Sequence, residues 1–488
     1  MTKHVIIGGG PVATNAIETI RQYGGGEASI TLISDEPAHS RMALPYWLAG
    51  KVPREHTHTA DDAEFSRLGV DAKIGQRATA VDTSARTVTL CDESTVAYDN
   101  LLIATGAAPV GLSVPGSDLP GVQSLWTLEH TASLLAATEG VDAPRVTMIG
   151  AGFIGFIMLN AMHERGWNLT VVEREGHVLP RMLDAESAGL VASWLGKKGV
   201  TVHTGASVES ISEGEGGSKV VSLAGGATVE SDVVIVATGI RPNTDLASEA
   251  GIETDQGIIV NGRCQTSAEG VYAGGDVAQG PVLGGGGNQV HSIHPTAVDH
   301  GRIAGANMAG HDAEYSGSLS LNILDVCGLQ NASFGNWSDT SDDAVTISNA
   351  ADHIYRKFIF SGDQMTGAVF VGEANDLGML TDVGMVKGIM QTQADLGAWK
   401  GFLKENPFDV RRAYIGTGVA ATLARTTLLG QKAQPRGYHF GGQSAPVAVG
   451  GSHAQLVSPK AAAMEKAAAV AAAMAAEAEA AENSESAE

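Results

Sequence analysis

The sequence predicts an α/β protein with two parallel-sheet units followed by a C-terminal α+β domain. Three observations predict this class. The chain opens on "HVIIGGGPVATNAIETI", an apolar run falling into glycines and then a helix-like stretch. The same pattern returns at "VTMIGAGFIGFIMLNAMHERGWNLTVVERE". Beyond residue 311, segments such as "SLSLNILDVCGLQNASFG", "AVTISN" and "HIYRKFIFSGDQMTGAVFVGE" read as antiparallel strands, followed by helical stretches such as "DVGMVKGIMQTQ".

Composition bounds the function classes. The 488 residues are 43% hydrophobic and 5% aromatic with 62 glycines, a balance suited to several domains rich in tight strand-to-helix turns. Lys and Arg total 31 against 54 Asp and Glu, a net charge of −23, and no segment concentrates the basic residues. Nucleic acid and anionic membrane are therefore disfavoured partners. The N-terminus lacks the basic flank and apolar core of a signal peptide, and no uncharged apolar run reaches about eighteen residues, so a cytoplasmic location is expected. Cys91, Cys264 and Cys327 lie far apart, which leaves neither a disulfide framework nor a local dithiol.

In the opening unit, residues 4–7 read as a buried strand and 12–23 as a helix, with Gly8, Gly10 and Ala13 forming G-x-G-x-x-A between them. Gly8 permits the tight turn, Gly10 lets backbone N–H groups approach a pyrophosphate, and Ala13 allows close helix-to-strand packing at the helix's positive end. A second strand, "ASITLISDE", ends at Asp35 and Glu36, where a carboxylate can accept hydrogen bonds from an adenosine ribose.

The second unit repeats the order: a strand over 146–149, Gly150, Gly152 and Gly155, a helix, and a strand ending in Glu173. The first glycine and the acid are 23 residues apart here and 27 in the opening unit. Two complete units imply two dinucleotides. An acid at the end of each second strand favours a free ribose 2′-hydroxyl, hence NADH over NADPH, although Arg174 adjoins Glu173.

Further along, "NLLIATGAAP" and "DVVIVATGIRPNT" each read as an apolar strand and a small-residue turn, and "TSAEGVYAGGD" as a strand ending in Gly-Gly-Asp. With the two glycine units, these stretches resemble the two-dinucleotide-binding flavoproteins, also called the pyridine nucleotide–disulfide oxidoreductase superfamily. The resemblance covers roughly residues 1–430. It implies Rossmann-like domains in which the first unit binds FAD and the inserted unit binds the nicotinamide nucleotide. The cofactor-binding candidates it carries over are Gly8, Gly10, Pro11, Ala13, Asp35, Glu36, Arg41, Thr105, Gly106, Gly275 and Asp276 on the first unit and its return segment. On the inserted unit they are Gly150, Gly152, Phe153, Ile154, Gly155, Glu173 and Gly239. Asp276 would meet the ribityl chain, and Arg41 the FAD pyrophosphate.

The implied domains are an FAD-binding domain, 1–110 and 241–310, an NAD(P)H-binding domain, 111–240, and an interface domain, 311–430, that covers the flavin domain and forms a homodimer. Residues 431–488 read as a linker and a solvated, Ala/Glu-rich, partly helical tail.

No cysteine stands between 36 and 90, where the disulfide reductases of this superfamily carry theirs. "EPAHSRMALPYWLAGKV" instead resembles the branch of ferredoxin and rubredoxin reductases and the flavin module of NADH-dependent nitrite reductases. Tyr46 departs from that branch, which commonly places a lysine there near the isoalloxazine. Ile157 departs from a glutamate usually found near the nicotinamide carboxamide. The helix after "GNQVHSIHPTAV" resembles the one whose N-terminus, around Thr296 and Ala297, faces the pyrimidine end of the flavin. His294 and Tyr46 are the catalytic candidates, His291 and His300 read as packing residues, and no metal site is expected.

The implied activity is hydride transfer from NADH to FAD. Electrons then pass to a partner protein: a ferredoxin, a rubredoxin or a partner oxidoreductase subunit. Two alternatives stay open, direct reduction of oxygen or a small molecule, and a flavin-bearing scaffold or sensor with low turnover.

Overall fold

A computed structural model describes residues 1–24 and 26–425. The linker and tail expected over 431–488 lie outside the described residues.

Two five-stranded parallel sheets form the first 300 residues. One runs Val271–Ala273, Asn100–Ile103, Lys3–Ile7, Ser29–Ser34, Val70–Ile74. The other runs Thr201–His203, Asn168–Val172, Arg145–Ile149, Val233–Val236, Val122–Ser124. The first sheet thus takes strands from both sides of the segment that builds the second. Their central strands are largely apolar and buried on both faces, by helices on one side and by an antiparallel meander on the other. Each sheet is accompanied by a three-stranded antiparallel meander, 78–97 in one case and 208–231 in the other. A short antiparallel ladder, Ala107–Pro109 with Ile240–Pro242, ties the two crossing points together.

Two helices position the first site. Pro11–Gly24 begins on a proline, whose missing N–H costs nothing in the first turn, and buries Val12, Ala13, Ala16, Ile17 and Ile20. His294–Met308 lies directly against it. A Cβ on Gly301 would stand 2.5 Å from Val12 O, and one on Gly305 would stand 2.7 Å from Ala16 O. Both contacts advance in the same direction along the chain, so the helices run parallel and present their positive ends at the same edge.

The C-terminal five-stranded sheet is antiparallel, in the order Leu321–Val326, Leu329–Gly335, Gln364–Glu373, Ile354–Ser361, Ala344–Asn349. Helix Leu377–Gln391 packs on one face. The resemblance places this region over the flavin part, but its largest shared core is with the inserted unit. Val326, Leu329, Tyr355, Val369 and Val371 join Phe156, Leu159 and Val191 in one cluster. Tyr355 Oη donates to Asp184 at 2.7 Å, and Cys327 N–H donates to Asn160 Oδ1 at 3.0 Å. Contact with the first unit's return segment runs through Ser318, whose N–H donates to Pro281 O at 3.0 Å.

Candidate functional site

The first cradle separates its glycines by task. Gly8 has φ +105°, and a Cβ there would lie 2.2 Å from Ala104 O, so a side chain would collide with the neighbouring strand end. Gly10 is the opposite case: a Cβ would meet no atom within 4 Å. The backbone at the start of the Pro11–Gly24 helix therefore opens on empty space, and Ala13, fully buried, packs that helix down.

Strand register decides which acid faces this space. Gly8 N–H donates to Ile33 O and Gly150 N–H to Val172 O, both at 2.8 Å, so Ser34 stands in the first unit where Glu173 stands in the second. Asp35 then points outward and pairs with Arg77 at 2.6 Å, both exposed. Glu36 turns inward, where burial raises its carboxyl and Arg41 opposes the rise. His39 Nε2 lies 3.6 Å from Glu36 Oε2 and is otherwise unpartnered, while His39 Nδ1 donates to Pro37 O at 2.9 Å. Of the two acids expected from the sequence, the geometry favours Glu36.

Arg41 occupies the middle of the site. Its charge is felt at Asp276 on one side and Glu36 on the other, and burial lowers its pKa. Among the described residues no carboxylate stands within ion-pair distance of it, and its Nε is buried without a hydrogen-bond partner. Its guanidinium carbon lies 4.6 Å above the ring centroid of Trp126, and a Cβ on Gly106 would stand 3.4 Å from its Nη1. Thr105 is committed elsewhere: its hydroxyl donates to Asn243 O at 3.0 Å, and Asn243 Nδ2 donates to Thr105 O at 2.8 Å.

At the far end, Gly275 takes φ +76° and turns the chain so that Asp276 lies beside Arg41. Burial raises the Asp276 carboxyl and Arg41 opposes it. The Gly275 N–H donates to His300 Nδ1 at 3.2 Å. His300 is buried, and burial pushes its imidazole down to about 4, so it is neutral and its proton sits on Nε2. The helix start offers the N–H of Thr296, because Ala297 N–H already donates to Ile293 O at 3.1 Å. His294 is exposed at the first residue of that helix, and Tyr46 is exposed on helix Leu44–Leu48.

The second cradle repeats the first. Gly150 has φ +102°, and a Cβ there would lie 2.4 Å from Ala237 O, whereas Gly152 again opens on empty space. A Cβ on Gly155 would press on Met148 Sδ at 2.9 Å, which explains the third glycine as a packing requirement. Phe153 and Ile154 form the half-buried first turn. Glu173 is buried, with Oε2 accepting from Ala151 N–H at 2.7 Å and Oε1 from Glu175 N–H at 2.8 Å. Its carboxylate therefore braces the glycine loop as well as facing it. Gly239, at φ +138°, accepts from Val110 N–H at 2.9 Å beside the connecting ladder. Ile157 packs half-buried against the core that holds Leu44 and Leu48.

Two residues of this site escape a sequence reading: His300 and Trp126. A Gly-Gly-Asp turn followed by a buried helical histidine was a faint signal for the first. Nothing local signals the second, whose partner is 85 positions away. Among the described residues, no group of three or more His, Cys, Asp or Glu could hold a metal ion.

The donor set fits the cofactors the fold implies. A half-buried guanidinium with an unpartnered Nε, near two carboxylates but paired with neither, suits an extended dinucleotide with its pyrophosphate at the middle, and the open backbone at Gly10 and Gly152 gives each cradle room for one.

Comparison with known proteins agrees. The pyridine nucleotide-disulphide oxidoreductase family profile matches residues 2–301, and that of the rubredoxin NAD+ reductase C-terminal domain matches 321–383. The NADH-dependent phenylglyoxylate dehydrogenase subunit epsilon of Aromatoleum evansii is 30% identical over 84% of this chain and 96% of its own length. The benzene 1,2-dioxygenase system ferredoxin–NAD(+) reductase subunit of Pseudomonas putida is 31% identical over 59% of this chain and 70% of its own. A NAD-dependent persulfide reductase from A. fulgidus superposes with a TM-score of 0.73 at 30% identity, covering 81% of this chain and 78% of that one. The chain belongs to the pyridine nucleotide-disulphide oxidoreductase family.

Proposed function

We propose that the first cradle holds FAD and the inserted cradle holds NADH, and that electrons move through the flavin between NADH and a redox partner protein. The observation that carries this reading is the pairing of two open glycine cradles, at Gly10 and Gly152, on one scaffold with no cysteine between 36 and 90. In domain terms the reading assigns 1–110 and 241–310 to FAD, 111–240 to the nicotinamide nucleotide and 311–430 to an interface domain.

FAD, when bound, accepts the hydride and releases its electrons one or two at a time; the protein supplies place and field. The backbone at Gly10 and the positive helix end meet the pyrophosphate, and Arg41 neutralises it. Glu36 accepts from the adenosine ribose, and Asp276 from the ribityl hydroxyls. Thr296 N–H, with its helix dipole, stabilises negative charge at the pyrimidine edge of the flavin. Glu173 accepts from the free ribose hydroxyls of NADH and repels a 2′-phosphate. Ile157 contributes an apolar wall where a carboxylate would otherwise accept from the carboxamide.

Electrons must leave without a thiol. Cys264 and Cys327 are buried with pKa values raised by burial, the latter to about 12, and Cys91 is exposed on a hairpin distant in sequence from both cradles. A partner protein takes that role in this reading. The names of two of the relatives, each a subunit of an oxidoreductase system, support a partner oxidoreductase subunit. A homodimer and a cytoplasmic location complete the proposal. No described helix is long and apolar enough to cross a membrane.

The test is anaerobic reoxidation of the reduced protein by an oxidised ferredoxin or rubredoxin, compared with reoxidation by air. Faster reoxidation by the protein acceptor supports the reading. Reoxidation by oxygen at catalytic rates, with protein acceptors inert, would replace it with an oxidase.

A further inference from the structure

We propose that Trp126, carried by the inserted unit, is the positioning residue for Arg41 and so sets how tightly the first unit retains FAD. The inference rests on the assignment of FAD to the first cradle and extends it to a residue of the other unit.

The half-buried guanidinium of Arg41, its Nε shut off from water, is costly unless its charge and its N–H groups find partners. Here no carboxylate among the described residues pairs with it, and Nε has no acceptor. The contact that remains is the face of Trp126, 4.6 Å from the guanidinium carbon. The negative ring face attracts the cation and lets the planar group stack, while the edges stay free to point elsewhere. Stacking thus leaves N–H groups available to a phosphate, which an ion pair to a protein carboxylate would have consumed.

Trp126 is itself held. It is 8% exposed, and its Nε1–H donates to Ala107 O at 2.8 Å. Ala107 begins the connecting ladder, whose other strand is Ile240–Pro242. Trp126 lies between strand Val122–Ser124 and helix Leu128–Ala137, both belonging to the inserted unit. The ring is therefore fixed to the junction at one edge and offers its face to the first unit. A displacement of the inserted unit would move the platform under Arg41, so FAD retention would register where that unit sits.

The test uses the holoprotein and reads FAD release as recovery of flavin fluorescence on dilution, together with the flavin-to-protein ratio after purification. Trp126→Leu should speed release about tenfold, and Trp126→Phe, which keeps an aromatic face, should stay within about threefold of wild type. Arg41→Ala should speed release at least as much as Trp126→Leu. Adding Trp126→Leu to Arg41→Ala should change nothing further, because the platform then has nothing to carry.

Equal acceleration by Trp126→Leu with and without Arg41 would overturn the inference, since the residue would then be supporting the fold. Unchanged release in Trp126→Leu, with Arg41→Ala releasing FAD fast, would overturn it too while sparing the FAD assignment. Unchanged release in Arg41→Ala would instead remove the pyrophosphate assignment on which the inference stands. Should Trp126→Leu fail to fold, fluorinated tryptophan weakens the ring face without altering its shape. Release should then speed up in the wild-type sequence and not in Trp126→Phe, and an equal effect in both would overturn the inference.

Discussion

His300 accepts the Gly275 N–H through Nδ1 at 3.2 Å, and this bond places the Gly-Gly-Asp turn against a buried, neutral imidazole. Protonating His300 would turn that acceptor into a donor facing a donor. The turn carrying Asp276 is therefore tied to the neutral state of a histidine on the neighbouring helix.

This relationship has a pH signature. The folded pKa of His300 is about 4, against 6.5 for the free side chain, so between those values the unfolded chain binds the extra proton. Stability from this group is complete above pH 6.5 and lost as pH falls towards 4, on the order of 3 kcal/mol. Asp299, raised to about 6, contributes with the opposite sign, so the comparison must be with a variant. His300→Asn, which keeps an acceptor and cannot titrate, should flatten the decline in denaturation midpoint between pH 6.5 and 4. An identical slope in both proteins would contradict the account.

The glycines of each cradle should separate by assay. Gly10→Val and Gly152→Val place a side chain in open space, so both proteins should fold with midpoints near wild type. Gly10→Val should be colourless, and Gly152→Val should keep FAD but lose NADH binding. Gly8→Val and Gly150→Val, by contrast, drive a Cβ against a carbonyl oxygen at positive φ and should fail to accumulate as soluble protein. Solubility, flavin content and a nicotinamide titration read all four.

Both cradles were legible because glycine spacing, apolar strands and the following acid are local and repeated. Choosing among acids was not. The sequence offers Asp35 and Glu36 together, and only the pairing of Asp35 with Arg77 and the strand register show which turns inward. His300 read as a packing residue because its partner, Gly275, sits on a turn 25 positions earlier that meets the helix only in the folded chain. The C-terminal sheet was legible as strands, but its shared core with the inserted unit depends on Tyr355 meeting Asp184 across 171 positions. Local patterns name elements; long-range contacts decide which faces they show.

Donor choice should follow Glu173. NADH should exceed NADPH in kcat/KM by at least tenfold, and Glu173→Gln, which keeps one acceptor oxygen for the loop N–H groups, should narrow the ratio chiefly by admitting NADPH. A wild-type preference for NADPH would show that the exposed Arg174 governs the pocket instead.

Thiols should be dispensable. Replacing Cys91, Cys264 and Cys327 by Ser or Ala should leave NADH-driven ferricyanide reduction within a few-fold of wild type, with some loss of stability at the two buried positions. Loss of turnover in a single-cysteine variant that still holds reducible FAD would point to a thiol relay.

The central claim is that NADH bound at the inserted cradle reduces a flavin bound at the first, despite Ile157 standing where a carboxylate could have held the carboxamide. Anaerobic stopped-flow mixing of the holoprotein with NADH tests it most directly. The account predicts bleaching of the flavin absorbance near 450 nm within seconds, saturating with NADH concentration. A flavin that stays oxidised for minutes at saturating NADH, in protein with full FAD occupancy, would contradict it and leave a flavin-bearing scaffold.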